Sequence, residues 1–424
     1  VTIKHLYPVV EPSLNLDFAN SKKLDPRITF TRGSIGTYVG DDGLIKTAAQ
    51  NEARFDHDSD GNSLGLLVEE SRTNLLTYSE EFGNVSAWVI YTGGIITANT
   101  AASPDSTVTA DTLAYDGVNS KVSIESSNIT VVSGQAYSSS YYVKVAGGDA
   151  RYVQVWATNG PLNAYANFDL VDNVIGTSSA NATPFMETLS NGWYRIGYSG
   201  VSDYNNWRPR LSVVDSASSG RNGNYSGSNA SIYLWGAQLE AGAFPTSYIP
   251  TDGTPGGIAR AADVASITGS NFSSWYNQSE GSFFSQYIPT AGHGEVKFFG
   301  NNVNFWNIGA TSVAGGVFGF RTISNQGSDA NIFNRGRIED STNYGYVIKH
   351  AAAIADNDFA CYTSSSSGDV NLNTGLTIPA TGGYLTPLVD RLILTDDLTG
   401  VIRLSRLTYY PQRLPNATLQ ALTL

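Results

Sequence analysis

Asp56-His57-Asp58-Ser59-Asp60-Gly61 sets carboxylates at the first, third and fifth places of a short loop, with glycine sixth. That order opens a calcium loop, because a hard cation needs several oxygen donors on one tight turn. Such a loop closes on a bidentate glutamate at its twelfth place, and Leu67 stands there. Asp56, Asp58 and Asp60 are thus a weak calcium candidate, and a plain turn is the preferred reading. The histidines His5, His57, His293 and His350 have no zinc spacing and are expected to be isolated surface or hydrogen-bonded residues. Cys361, in the strand-like run DFACY, is expected to be a small core residue; a single cysteine builds no intrachain disulfide framework.

Paired carboxylates would point to glycan cleavage, which needs two carboxyls roughly 5–10 Å apart across a bond. Glu69-Glu70, Glu80-Glu81 and Asp396-Asp397 are adjacent in sequence. Neighbours on a strand point to opposite faces, so adjacency makes no catalytic pair, and the expected role is surface or turn. No catalytic residue is assigned, and nothing in the sequence requires a cofactor.

Aromatic residues carry the remaining chemistry. Trp and Tyr stack on the apolar faces of sugar rings, while amides and guanidinium groups read hydroxyls. Tyr152, Gln154 and Trp156 alternate with Val153 and Val155, which predicts an aromatic–amide face outward over a valine core. Tyr165-Asn167-Asp169 repeats the pattern. Trp207, Arg208 and Arg210 lie in YNNWRPR, read as a polar loop. Tyr152, Gln154, Trp156, Trp207, Arg208 and Arg210 form the candidate glycan site; packing under the N-terminal segment or a neighbouring subunit is the competing reading. Trp193, Trp235, Trp275 and Trp306 read as packed.

The elements that must position these residues are strands. Charged residues are only 15% of the 424, so Ser, Thr, Asn and 43 Gly supply the polar surface, and all of these disfavour helices. Aromatics and Thr fit a pleated surface, which makes the chain all-β. A net charge of −12 repels phosphate backbones and anionic lipid, so nucleic acid and membrane are not expected partners. No apolar run approaches a membrane span, and VTIKHLYPVVEPS lacks a signal-peptide core.

Residues 1–75 read as short extended pieces without a hydrophobic centre, packing on the next domain or a neighbouring chain. Residues 76–250 carry strand runs at sandwich spacing, with an exposed polar loop at 216–228. Within IYLWGAQLEAG, Ile232, Leu234, Gly236 and Gln238 should share one face of a central strand. Residues 251–262, in a stretch rich in Pro and Gly, read as a linker. Residues 263–424 form a second strand-rich unit closed by a short helix, Asn416–Leu422, with Asn416 as N-cap.

Three stretches resemble tail-fibre and appendage proteins of tailed bacteriophages: LGLLVEESRTNLLTYSEEF, IYLWGAQLEAGAFPTSYI and IRLSRLTYYPQRLPNATLQALT. The resemblance implies a jelly-roll, carbohydrate-binding-module-like middle part and a concanavalin- or laminin-G-like last part. The expected architecture is an extended N-terminal segment plus two antiparallel β-sandwiches. The expected function is that of a non-enzymatic virion-surface protein that binds host-surface polysaccharide. It implies a homo-oligomer, usually a trimer, joined to other virion proteins through the N-terminal segment. The alternatives are a head or collar decoration protein without glycan binding and a glycan-degrading tail spike.

Overall fold

The computed structural model describes residues 10–293, 295–299, 305–311, 317–324, 331–339, 347–355, 358–366, 370–371, 389–394 and 399–424. The chain is all-β: every sheet is antiparallel, and the helices among the described residues are short. Residues 88–241 form a sandwich of two six-stranded sheets. The back sheet runs 183–188, 194–201, 136–148, 230–241, 110–115, 94–101. The front sheet runs 174–178, 165–169, 152–157, 209–214, 123–126, 88–90. Their facing residues make one core, including Tyr141, Val153, Val155, Phe168, Ile196 and Leu211, all fully buried.

The strand 230–241 is central in its sheet, as its apolar sequence predicts, but its alternation breaks. Gly236 sits at φ 57 and the register shifts beside it. A glycine in this left-handed conformation makes a bulge that inserts one residue. Ile232 and Leu234 face the core before it, and Ala237 and Leu239 after it. Gln238 is therefore turned to the opposite face from Ile232, where its amide donates to Glu240.

The N-terminal residues are not a separate segment. Strands 14–17 and 63–69 pair with 399–410, and 29–31 pairs with 264–268. Leu14, Leu16, Phe18, Leu66 and Val68 thereby enter the core of the last sandwich with Ile267, Phe283 and Leu407. The hairpin 36–39/45–48 leaves that sandwich and lays Ile45 on Tyr142 and Trp235, on the outer side of the back sheet. The middle sandwich is thus an insertion in the last one. The sequence lacks a hydrophobic centre here because these strands complete a core encoded nearly 400 residues later (Leu14 opposite Tyr409). Residues 251–262, expected as a linker, return along the outgoing chain: 258–260 pairs with 72–74. The C-terminal helix spans Asn416–Thr423, but its N-cap is Pro415; Asn416 Oδ1 instead accepts from Arg413 at 2.6 Å.

Around this neck lies a buried ionic network. Arg54 donates to Glu69 Oε2 at 2.7 Å and to Asp263 Oδ2 at 2.5 Å. Arg32 reaches Asp263 Oδ1 at 3.1 Å, and Arg260 lies 3.5 Å from Glu69. The Ser247 N–H and hydroxyl donate to Glu69 from the segment that leaves the middle sandwich. Burial would raise the Glu69 carboxyl, yet Arg260, Arg54 and Ser247 hold it well below the ordinary carboxylate range. A depressed carboxyl contributes stability that is present above its unfolded value, near 4.5, and lost as pH falls through the folded one. Urea unfolding should therefore show a midpoint that drops below about pH 4.5, and Glu69→Gln should lower the neutral-pH midpoint while flattening that drop. An unchanged acid slope in Glu69→Gln would assign the drop to other carboxylates.

Candidate functional site

The front sheet brings most of the candidate residues together. With Val153, Val155, Leu211, Val213 and Ile124 turned inward, alternation puts Gln154, Trp156, Arg208, Arg210, Ser212, Ser123 and Glu125 on the outer face. Register aligns them in rows. Tyr165 stands opposite Trp156, Trp156 opposite Arg210, and Arg210 opposite Glu125. Beside that row run Asn167, Gln154, Ser212 and Ser123. Tyr152 is half-buried at the far end, under the Arg151 guanidinium at 5.1 Å.

Trp156 is held from both sides. The guanidinium carbons of Arg210 and Arg221 lie 4.6 and 4.5 Å from its ring centre, and its indole N–H donates to Ser212 Oγ at 2.9 Å. Arg210 also lies 3.3 Å over the Tyr91 ring and donates to Ser123 Oγ at 2.8 Å. Burial, joined by the charges of Arg208 and Arg221, pulls the Arg210 guanidinium below its ordinary value against Tyr91 and Glu125. Glu125 is fully buried; it pairs with Arg208 at 2.8 Å and accepts from the Tyr91 and Thr158 hydroxyls. Half-exposed Tyr91, Tyr165, Arg208 and Arg221 with exposed Thr158 form the outward surface.

Two expectations change here. Trp207 is not in a polar loop and is not on this face. Its residue parity is that of Leu211 and Val213, so its ring enters the core, 0% exposed, stacked at 6.0 Å on Tyr198. Gly160 passes so close that a Cβ there would come within 2.8 Å of the indole. The polar stretch at 216–228, expected to be an exposed loop, folds partly back on the sheet. Gln154 donates to Gly220 O and accepts from Asn222 N–H, while Asn167 donates to Ser219 O. Trp156 is therefore only 3% exposed within a single chain, covered by Arg221 rather than open. Sequence reasoning missed Tyr91, Glu125 and Arg221. Glu125 carried a signal, a charge alternating with Val122 and Ile124; Arg221 carried none, since a loop has no period.

Asp56 accepts from Val39 N–H and from Arg403 Nε at 2.6 Å, while Asp58 accepts from the N–H groups of Asp60 and Asn62. These oxygens serve a turn and an ion pair and do not converge; no group of three or more potential metal ligands occurs among the described residues. Glu69 and Glu70 diverge, Glu69 to Arg54 and Glu70 to Arg72. Burial raises both Glu80 and Glu81, and Glu80 accepts from Tyr248 Oη. His57 faces Val39 O at 3.1 Å, and burial pushes His350, bonded to Tyr287 Oη, down to about 3. Trp193, Trp235 and Trp275 are buried. His5, Asp396-Asp397 and the side chains of His293, Trp306 and Cys361 lie outside the described residues. A separate cleft of about 870 Å³ opens beside the neck, where Arg72 lies 4.6 Å over Phe244.

No family model matches the chain, and no curated protein matches it. Solved structures give distant likenesses. The tandem CBM22-1-CBM22-2 domains of Paenibacillus barcinonensis Xyn10C are 11% identical, with a TM-score of 0.26 over 80% of this chain and 98% of that one. Mouse laminin alpha1 domains LG4-5 are 10% identical, with a TM-score of 0.19 over 76% and 89%. A xylan beta-1,4-xylosidase from Bacillus halodurans C-125 is 8% identical, with a TM-score of 0.23 over 75% and 76%. Scores this low carry no argument about fold or function, so the reading rests on the chain's own geometry.

Proposed function

We propose that this chain is a glycan-binding protein of the bacteriophage virion surface, a tail fibre or appendage component that contacts host polysaccharide without cleaving it. One observation carries the binding part: the front face presents two half-exposed tyrosine rings, Tyr91 and Tyr165, together with the half-exposed guanidinium groups of Arg208 and Arg221 and the exposed Thr158 hydroxyl. That combination suits a sugar, with rings for its C–H face and fixed polar groups for its hydroxyls. Trp156 acts beneath the surface, fixing Arg210 and Arg221. The virion part rests on the three sequence stretches that resemble phage appendage proteins. Homotrimer assembly, and attachment to other virion proteins through the N-terminal region, belong to the same proposal. The reading is non-catalytic because Glu125, the carboxylate in the row, is committed to Arg208, Tyr91 and Thr158.

A structural decoration role is the second reading, favoured by the coverage of Trp156 within the chain itself. Binding to a panel of bacterial surface polysaccharides separates the two. Wild type should bind, and Tyr91→Ala and Trp156→Ala, each checked for folding, should weaken binding by about 1 kcal/mol, on the order of one aromatic contact. A folded protein that binds no polysaccharide, in an assembly shown to be complete by light scattering, supports decoration. Release of reducing ends would restore the tail-spike alternative.

A further inference from the structure

We propose that the front face of the middle sandwich takes an acidic glycan, one whose sugar rings carry carboxylates. The inference rests on the glycan-binding reading and specifies its ligand class.

The carrier is a charge imbalance built into the face. Lys121, Arg208 and Arg221 gather around Arg210, in a protein whose net charge is −12. One carboxylate, Glu125, serves two of these cations: it pairs with Arg208 and stands opposite Arg210, whose guanidinium it stabilises. Arg210 donates to the Ser123 hydroxyl, Arg221 to the Ala157 carbonyl at 2.6 Å, and Lys121 to the Asn222 carbonyl at 2.5 Å. Neutral acceptors satisfy hydrogen bonds without compensating charge, so one carboxylate faces four cations. The cations feel one another: burial lowers Lys121, and Arg210 lowers it further. At the far end of the same sheet the arrangement is opposite, since Arg151 is matched by both Asp169 and Asp172. The positive charge is therefore local to the Trp156 end.

A basic face on an acidic protein steers anions towards one place. Guanidinium groups add shape selection, because their planar fork matches a carboxylate in two parallel hydrogen bonds. Arg208 is 30% exposed at its side chain and Arg221 is half-buried, so both can reach a ligand lying against the half-exposed Tyr91. A polymer with one carboxylate per ring would offer charge and stacking surface together.

The test is affinity electrophoresis of the whole protein in gels containing polygalacturonate, the same polymer carboxyl-reduced to its neutral form, dextran sulfate or duplex DNA. Wild type should be retarded by polygalacturonate at least tenfold more strongly than by the reduced polymer, with retardation falling as salt is added. Arg208→Gln and Lys121→Gln, which empty no core, should each weaken that retardation several-fold. Equal retardation by the reduced polymer would overturn the acidic assignment and leave the glycan reading standing. Equal retardation by dextran sulfate or DNA at matched charge would reduce it to general polyanion attraction. Retardation untouched by both substitutions would place the site elsewhere. No retardation by either glycan would remove the glycan reading as well.

Discussion

Arg54→Met should destabilise the protein by about 3–5 kcal/mol, the cost of removing one partner from a buried ion pair. Arg54 is 0% exposed and donates to Thr37 O at 2.8 Å, Glu69 at 2.7 Å, Ser247 Oγ at 2.8 Å and Asp263 at 2.5 Å. Those four partners belong to the N-terminal hairpin, the last sandwich, the segment leaving the middle sandwich and the returning neck. Its loss leaves Glu69 and Asp263 buried with fewer donors and unties the two sandwiches together. Urea unfolding followed by tryptophan fluorescence should show a lower midpoint and two separated transitions, because the middle sandwich keeps its own core. A loss under about 1 kcal/mol with a single transition would mean that the packed neck, and not the ions, couples the units.

Trp207→Ala should cost about 3–5 kcal/mol, the range for emptying a large aromatic from a core. The ring is sealed by Tyr137, Tyr198 and the close pass of Gly160, so the cavity has little means to collapse. Trp156→Ala should cost markedly less, because that ring lies outside the hydrophobic core between two arginine side chains that can relax into water. Parallel denaturation curves check the order. If Trp156→Ala proves the more damaging, the outer row is a structural element, and the decoration reading gains.

These two tryptophans also show how far sequence reasoning reached. The alternation of Tyr152, Gln154 and Trp156 against Val153 and Val155 was legible because a strand has period two and the valines define the core side. The same rule applied to Trp207 through Leu211 and Val213 would have put its ring inside, but the flanking Asn, Arg and Pro residues read as a loop and hid the parity. Gly236 defeated alternation in the opposite way, since a bulge shifts every later residue and leaves only a lone glycine as its sign. The N-terminal strands were legible as strands, but their partners were not: pairing Leu14 with Tyr409 is a property of the closed sheet and has no local trace. Arg221 over Trp156 is of the same kind, a contact from a loop whose composition predicts exposure.

Under the proposed function, ligand meets the front face above Trp156, on the surface that Arg221 and Tyr91 form. The most direct measurement follows the indole N–H resonances of the protein, assigned by single Trp→Phe substitutions, during titration with oligogalacturonate and with a neutral oligosaccharide. Saturable shifts are expected at Trp156, with Trp193, Trp207 and Trp235 unmoved. Saturable binding without movement at Trp156 would overturn the front-face assignment and favour the cleft at Arg72 and Phe244.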